Sequence, residues 1–125
     1  MRIQSHRDLI VWQKAMDLVV EVYRLSERFP RTETYRLVSQ ITRAAASVPA
    51  NIAEGHARGS SREFAHFLSI AKGSLMETET FLTLAIRLGY ITPSEAESSQ
   101  RLVTEVSKML TSLRAKLKAP RKATL

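Results

Sequence analysis

The hydrophobic residues of this chain recur every three to four positions in four separate stretches. In the first stretch Leu9, Trp12 and Met16 follow one another at this spacing, which continues through Val19 and Tyr23. Such spacing is typical of amphipathic helices, and no stretch keeps the strict alternation of a half-buried strand. The pattern therefore predicts an all-α protein with helices at about residues 8–29, 32–57, 60–88 and 93–118.

Residues that begin and end helices mark the boundaries of these stretches. Thr92 lies three residues before Glu95, and Ser60 lies three residues before Glu63, so both pairs match a capping box. Proline and glycine supply the stop signals, which are Pro30, Gly55, Gly59 and Gly89. Because the connectors are short, the helices should form an up-down antiparallel four-helix bundle. We expect residues 1–119 to form this single domain and residues 120–125 to be a frayed basic tail.

The first predicted helix carries more apolar residues than one buried face requires. Five apolar residues lie outside the stripe that contains Trp12, namely Ile10, Val11, Leu18, Val20 and Leu25. A second apolar face either forms an exposed patch or is covered by another chain. We therefore expect a homo-oligomer, with Trp12 and Leu18 among the residues on which its assembly depends.

The second predicted helix contains an unusual segment between Pro49 and Gly55. Pro49 removes one backbone donor from the helix interior and crowds the carbonyl of Ala45, so we expect the helix to bend there. Asn51 and Glu54 follow without a nucleophile and base beside them. These two residues are therefore expected to have structural roles and to form hydrogen bonds around the bend.

The charge of the chain favours an anionic partner. There are 19 lysines and arginines against 12 acidic residues, which gives a formal net charge of +7. From Lys108 to the end the chain has six basic residues and no acidic one. It has no cysteine, and no apolar run approaches the roughly 20 residues of a membrane span. We expect a cytoplasmic protein that does not bind membranes.

Eight basic residues are candidates for contact with nucleic-acid phosphates: Arg36, Arg43, Arg58, Arg62, Arg114, Lys118, Arg121 and Lys122. The first two lie seven residues apart on one helical face, and the next two flank the glycine-containing connector, so these four together are predicted to follow a phosphate backbone. Arg114, Lys118 and Arg121 form a stripe on the last helix. The alternative is that Glu54 and Arg58 satisfy each other as an i, i+4 pair and that the stripe is a solvated face.

Neither catalysis nor a metal site is indicated by the motifs. Glu63 and His66 form one Glu-x-x-His pair, whereas a di-iron bundle requires two such pairs and two further glutamates. The glycine spacings of phosphate loops and dinucleotide-binding folds are absent. We therefore expect that the protein is not an enzyme and that it uses no cofactor.

An ordered set of short motifs resembles the four-helix-bundle family encoded in intervening sequences of bacterial 23S ribosomal RNA genes. The motifs lie between residues 8 and 91 and include VWQKA, PANIAEG and LGYI. This family is related to the accessory variability protein of diversity-generating retroelements. One departure is Thr42-Arg43, where the family often has paired arginines before two alanines.

The resemblance implies a ring-like homopentamer with a basic surface and, for the retroelement relatives, binding to nucleic acid and to a reverse transcriptase. Two functions are then consistent with the residues. The first is a non-catalytic basic scaffold that binds RNA or DNA mainly through phosphate contacts, with little sequence specificity. The alternative is a scaffold that recruits a protein partner, such as a reverse transcriptase, without binding nucleic acid directly.

Overall fold

The computed structural model describes residues 3–118, and of Lys118 only the backbone. Within this range there are four α-helices: α1 (Ile10–Ser26), α2 (Leu37–Ala57), α3 (Ser61–Arg87) and α4 (Pro93–Lys118). Two short 3-10 turns, His6–Asp8 and Arg31–Glu33, precede α1 and α2. The described part of the chain contains no strand, so the predicted all-α class is confirmed.

The helices pack in chain order around one hydrophobic core, and α4 returns to lie against α1. Two contacts between α1 and α4 show the relative direction of these helices. The hydroxyl of Ser98 donates to the carboxylate of Glu21 at 2.9 Å, whereas Lys14, nearer the start of α1, lies 3.6 Å from Glu105. The two helices are therefore antiparallel, and the chain forms a four-helix bundle.

The side chains predicted to cap the starts of α4 and α3 both form capping hydrogen bonds. The hydroxyl of Thr92 accepts the Glu95 N–H at 3.1 Å, and the Glu95 carboxylate accepts the Thr92 N–H at 2.9 Å. This second bond lowers the pKa of the Glu95 carboxyl. The hydroxyl of Ser60 accepts the Glu63 N–H at 3.1 Å. These side chains satisfy backbone donors that the first turns of α4 and α3 would otherwise leave unpaired.

The first two helices are shorter than the predicted ranges 8–29 and 32–57. After Ser26, the next three backbone N–H groups bond to carbonyls three residues back, and Pro30 then prevents the helix from continuing. Within residues 30–36, backbone N–H groups also bond to carbonyls three residues back, so α2 begins only at Leu37. The carboxylate of Glu33 accepts the Leu37 N–H at 3.2 Å and so supports the first turn of α2.

The face of α1 that meets the core differs from the predicted stripe. Its buried residues are Val11, Ala15, Leu18, Val22, Leu25 and Ser26. Leu18 has no exposed surface, so the expectation that it serves an assembly surface is wrong. Met16, Val20 and Tyr23 are exposed instead, by 39%, 45% and 50% respectively. Because they are spaced i, i+4 and i+7, they form one apolar stripe, which we call the α1 patch.

α2 and α3 approach each other closely at Gly55. A Cβ atom at this position would lie 2.6 Å from the Cβ of Phe67 and 3.1 Å from the Cδ1 of Phe64. Only glycine permits this separation without movement of α3. Gly55 is buried inside α2, so its interpretation as a helix stop is wrong. Gly59 and Gly89 are the residues that adopt the left-handed conformation after α2 and α3, with φ of 86° and 79°.

A set of polar side chains joins α2 to α3 two turns before Gly55. The amide nitrogen of Asn51 donates to the carbonyl and hydroxyl oxygens of Ser47, at 2.8 and 2.9 Å. The hydroxyl of Ser74 donates to the same Ser47 hydroxyl at 2.9 Å. We call these contacts and the approach of Gly55 to Phe67 the α2–α3 seam. α2 is assigned as one helix through the buried Pro49, and the bend expected there stays a prediction.

Candidate nucleic-acid interface

Basic side chains from two helices converge on one pocket, where the beginning of α3 lies beside the end of α4. This α3–α4 pocket has a volume of about 540 Å³. Its polar and charged lining residues are Ser61, Arg62, His66, Ser69 and Arg114. Arg62 and His66 are four residues apart on α3, and Arg114 comes from α4. Because no acidic residue is among the described residues that line the pocket, the two guanidinium groups give it a positive potential.

Arg114 is the least accessible of these charged groups. Its Nε atom is buried and has no hydrogen-bond partner among residues 3–118. Buried donors in proteins nearly always have an acceptor, and the guanidinium group is well suited to bind phosphate oxygens. Because the Nε atom is itself buried, an anion in the pocket would reach it only if the Arg114 side chain moved.

Arg58 is held by its neighbours, unlike Arg62. Its guanidinium group lies 2.8 Å from the Glu54 carboxylate and 4.0 Å from that of Glu63. The same group lies over the ring of Phe67, 5.0 Å from its centre. The geometry favours the alternative in which Glu54 and Arg58 satisfy each other. Arg58 consequently adds less to the positive potential than its sequence position suggests.

Arg36 and Arg43 lie away from the α3–α4 pocket, on the first half of α2 and the residue before it. A helix of 21 residues such as α2 is about 30 Å long, which places Arg36 and Arg58 at opposite ends of the bundle. Arg43 donates to the Ser39 hydroxyl at 3.4 Å and shares a groove with Glu77. The structure therefore does not bring the four arginines of the predicted phosphate path together.

The basic residues of α4 divide between two sides of the helix. Arg114 lines the α3–α4 pocket, whereas Lys108 and Lys116 line a mainly apolar cleft of about 550 Å³ between α4 and the start of α1. These two lysines were not among the predicted contacts, although their spacing of eight residues places them near one face. The predicted stripe cannot be followed beyond Arg114, since the Lys118 side chain, Arg121 and Lys122 lie outside the described residues.

His66 lines the candidate site but was not predicted from the sequence to contact nucleic acid. In the sequence it formed half of a Glu-x-x-His pair with Glu63, which suggested only a test for metal ligands. In the structure Glu63 accepts a hydrogen bond from the Ser60 hydroxyl at 3.0 Å, while His66 lines the pocket with Arg62. The i, i+4 spacing of Arg62 and His66 is the signal that could have linked them.

A second polar contact lies at the opposite end of the bundle and ties the turn before α2 to the α3–α4 connection. The hydroxyl of Tyr90 donates to the Glu33 carboxylate at 2.7 Å. This bond lowers the pKa of Glu33 and raises the pKa of Tyr90. The Tyr90 ring also packs against Phe29, with 5.6 Å between the ring centres. We assign the Glu33–Tyr90 contact to the stability of the bundle.

Residues 3–118 provide neither a metal-binding cluster nor a helix suited to a membrane. No group of three or more histidine, aspartate or glutamate side chains within residues 3–118 is placed to hold a metal ion. None of the helices in this range combines the length and the apolar character that crossing a membrane requires. The α3–α4 pocket is the candidate site that the geometry favours, because Arg62 and Arg114 both line it.

Comparison with known proteins places the chain in a family. Residues 7–112 match the family model described as 23S rRNA-intervening sequence protein. The fold is similar, with a TM-score of 0.75, to the crystal structure of a protein from Bacteroides thetaiotaomicron VPI-5482, described as having unknown function and as a member of the S23 ribosomal protein family. The two sequences are 31% identical, and the alignment covers 88% of this chain and 100% of that chain.

Neither description names a catalytic activity. No curated protein matches the chain. The family match includes all of α1, α2 and α3 and most of α4, and the motifs that carried the resemblance lie within it. This chain therefore belongs to the family of 23S rRNA-intervening sequence proteins.

Proposed function

We propose that this protein is a non-catalytic scaffold that binds RNA or DNA mainly through phosphate contacts at the α3–α4 pocket. The observation that carries the proposal is the convergence of Arg62, His66 and Arg114 on one pocket, where residues 3–118 supply no acidic lining residue. Arginine is the side chain best suited to bidentate contact with phosphate. The net charge of +7 would attract a polyanion to this surface.

Little sequence specificity is expected of this binding. Proteins that read single-stranded bases stack them on exposed aromatic rings. Among the lining residues that the structure describes, the only aromatic ring is the imidazole of His66, and Phe64 and Phe67 on the same helix are half-buried. Contacts to phosphate position a strand without reading its sequence.

A titration of fluorescent RNA and DNA at two salt concentrations tests this proposal. We expect the affinity for both single strands and duplexes to fall steeply as salt rises, because bound phosphates release counterions. Arg62→Gln should weaken binding by about tenfold and reduce the salt slope by roughly one. The matched control is Arg101→Gln, which removes one charge from an exposed arginine of α4 that pairs with Glu97 at 3.8 Å. Equal losses of affinity in the two variants, or an affinity that does not change with salt concentration, would contradict the proposal.

Assembly into a ring-like homopentamer is part of the proposed scaffold. The α1 patch supports self-association, since an exposed apolar stripe on a bundle helix is commonly covered by another chain. Val20→Glu should lower the oligomer mass measured by native mass spectrometry while the helix content stays unchanged. An unchanged mass would exclude this face as the contact, and a mass other than that of five chains would contradict the pentamer.

The α1 patch also favours a second candidate function, the recruitment of a protein partner such as a reverse transcriptase. In that case the positive charge would aid solubility and association without forming a nucleic-acid site. A well-formed oligomer that binds no nucleic acid at low salt would favour this second function. Retention of a purified reverse transcriptase by the wild type, and its loss in Tyr23→Glu, would then identify the surface.

A further inference from the structure

We infer that nucleic-acid binding at the α3–α4 pocket is coupled to the protonation of His66, so that the affinity rises as the pH falls. The inference rests on the proposed function and adds a form of regulation to the same site. It depends on the position of His66 in the pocket, on the charges that surround it and on the positions of the other histidines.

His66 lies on the exposed side of α3 and lines the pocket together with Arg62 and Arg114. Its ring packs edge-on against the ring of Phe67, with 5.6 Å between the ring centres. Because the His66 side chain is exposed, a phosphate group in the pocket can contact the imidazole directly.

The imidazole group changes its charge in the physiological range of pH. A histidine side chain gains a positive charge as the pH falls from about 8 to about 5. The neutral ring offers a phosphate at most one N–H donor, whereas the imidazolium offers two donors and a full charge. A bound phosphate therefore favours the protonated ring, and by linkage the protonated ring binds phosphate more tightly.

The other charges of the pocket do not compensate an imidazolium. Arg62 lies one turn before His66 on α3, and Arg114 lines the pocket from α4. Lys72, on a later turn of α3, keeps its charge while its ammonium group donates to the Thr111 hydroxyl of α4. The described residues that line the pocket include no carboxylate, so the charge of a protonated His66 is left for an external anion.

Glu63 lies three residues before His66 on α3, and its carboxylate has other partners. It accepts a hydrogen bond from the Ser60 hydroxyl at 3.0 Å and lies 4.0 Å from the Arg58 guanidinium at the end of α2. Glu63 is not among the described residues that line the pocket. Its carboxylate therefore supports the start of α3 and leaves the imidazolium to phosphate.

The other two histidines of the chain provide matched controls. His6 precedes α1 and packs against the ring of Trp12, with 5.0 Å between the ring centres. His56 is half-buried in α2 and packs against the ring of Phe64, with 5.6 Å between the ring centres. Neither histidine lines the pocket, so a change of affinity with pH should depend on His66.

The test measures the affinity of the full chain for a single-stranded oligouridine with hydroxyl groups at both ends, at about pH 8 and about pH 5.5. Hydroxyl ends are needed because a terminal phosphate itself titrates near pH 6. We expect wild type to bind about five- to tenfold more tightly at the lower pH, as one additional charge-assisted contact would produce. The salt slope should also steepen by roughly 0.7, the value for one more phosphate contact on a single strand.

Two substitutions of His66 separate its charge from its other properties. His66→Gln should bind within about twofold of wild type at the higher pH and should show no rise at the lower pH. His66→Lys keeps its charge throughout this range, so at both pH values it should bind about as tightly as wild type binds at the lower one. His56→Gln is the matched control and should keep the whole rise. Circular dichroism at both pH values confirms that each bundle is intact.

Failure of this inference is distinct from failure of the proposed function. A wild-type affinity that is equal at the two pH values but still falls with salt would overturn the coupling and leave phosphate binding standing. No binding at either pH would overturn both. A rise in affinity that His66→Gln retains would overturn the role of His66. Equal affinities of His66→Lys and His66→Gln would overturn the role of its charge.

Discussion

Gly55→Ala is the substitution for which the structure makes the sharpest prediction of stability. The added methyl group would lie 2.6 Å from the Cβ of Phe67, whereas ordinary contact begins at 3.4 Å. Because the Cβ of Phe67 moves only with its backbone, α3 must withdraw from α2 by roughly 1 Å in a close-packed interior. Overpacking of this kind costs about 1–3 kcal/mol, and alanine returns about 1 kcal/mol of helix propensity. The net loss should therefore lie between zero and about 2 kcal/mol.

Gly73→Ala provides the matched control in the same pair of helices. Gly73 is exposed within α3, and a Cβ atom there would meet no atom within 4 Å. With no clash to oppose helix propensity, this variant should gain up to about 1 kcal/mol. Urea unfolding at one protein concentration measures both changes, and a difference of about 1–3 kcal/mol between the variants corresponds to roughly 0.5–2 M in midpoint. If Gly55→Ala gained as much stability as Gly73→Ala, the close approach at Gly55 would be refuted.

Three further predictions concern the stability of the bundle. Leu18→Ala should cost about 2–5 kcal/mol in urea unfolding, since Leu18 is fully buried, and a loss below 1 kcal/mol would contradict its place in the core. Thr92→Ala should cost about 1 kcal/mol in the same assay by removing the α4 cap, and no loss would contradict the cap. The lowered pKa of Glu33 gives stability that is present above its usual carboxyl pKa of 4.5 and is lost as pH falls through the lowered value. Tyr90→Phe should therefore lose less stability than wild type as pH falls through the lowered pKa of Glu33. At alkaline pH the variant should also lack the loss of stability that wild type shows as pH rises through the raised pKa of Tyr90.

The helix starts could be predicted from the sequence because their causes are local. The hydrogen bonds of Thr92 and Ser60 join residues only three positions apart, so the spacing of side chains is sufficient information. The start of α2 is different. Glu33 supports it from the preceding turn, and Tyr90, 57 residues away, holds that carboxylate in place. A local pattern does not contain this partner, so the predicted start was five residues early.

The buried face of α1 could not be predicted for a different reason. This helix has apolar residues on several sides, so more than one stripe satisfies helical spacing. Packing against α2 and α4 selects the face that contains Leu18 and leaves Val20 and Tyr23 exposed. The presence of surplus apolar surface was therefore predictable, whereas its position depended on the neighbouring helices.

The candidate site was predicted in part. Arg62 and Arg114 were among the predicted contacts, but they are 52 positions apart, and only the antiparallel packing of α3 and α4 places them in one pocket. The same packing adds His66, which the sequence connected with metals. Arg58 is a weaker candidate for phosphate contact because the carboxylates of Glu54 and Glu63 both approach it. Charge counts do not distinguish a free arginine from one that is already paired.

The α2–α3 seam determines the register of the two helices. Its polar contact between Ser47 and Ser74 and its close approach of Gly55 to Phe67 are about 12 Å apart along α2. A slide of α3 by one turn, about 5.4 Å, toward the start of α2 would bring Phe67 opposite the Cβ atom of Asn51 and would separate Ser74 from Ser47. Steric overlap and the loss of a hydrogen bond would then occur together. The seam thus selects one alignment of α2 and α3 over its neighbours, a form of specificity separate from the stability that burial provides.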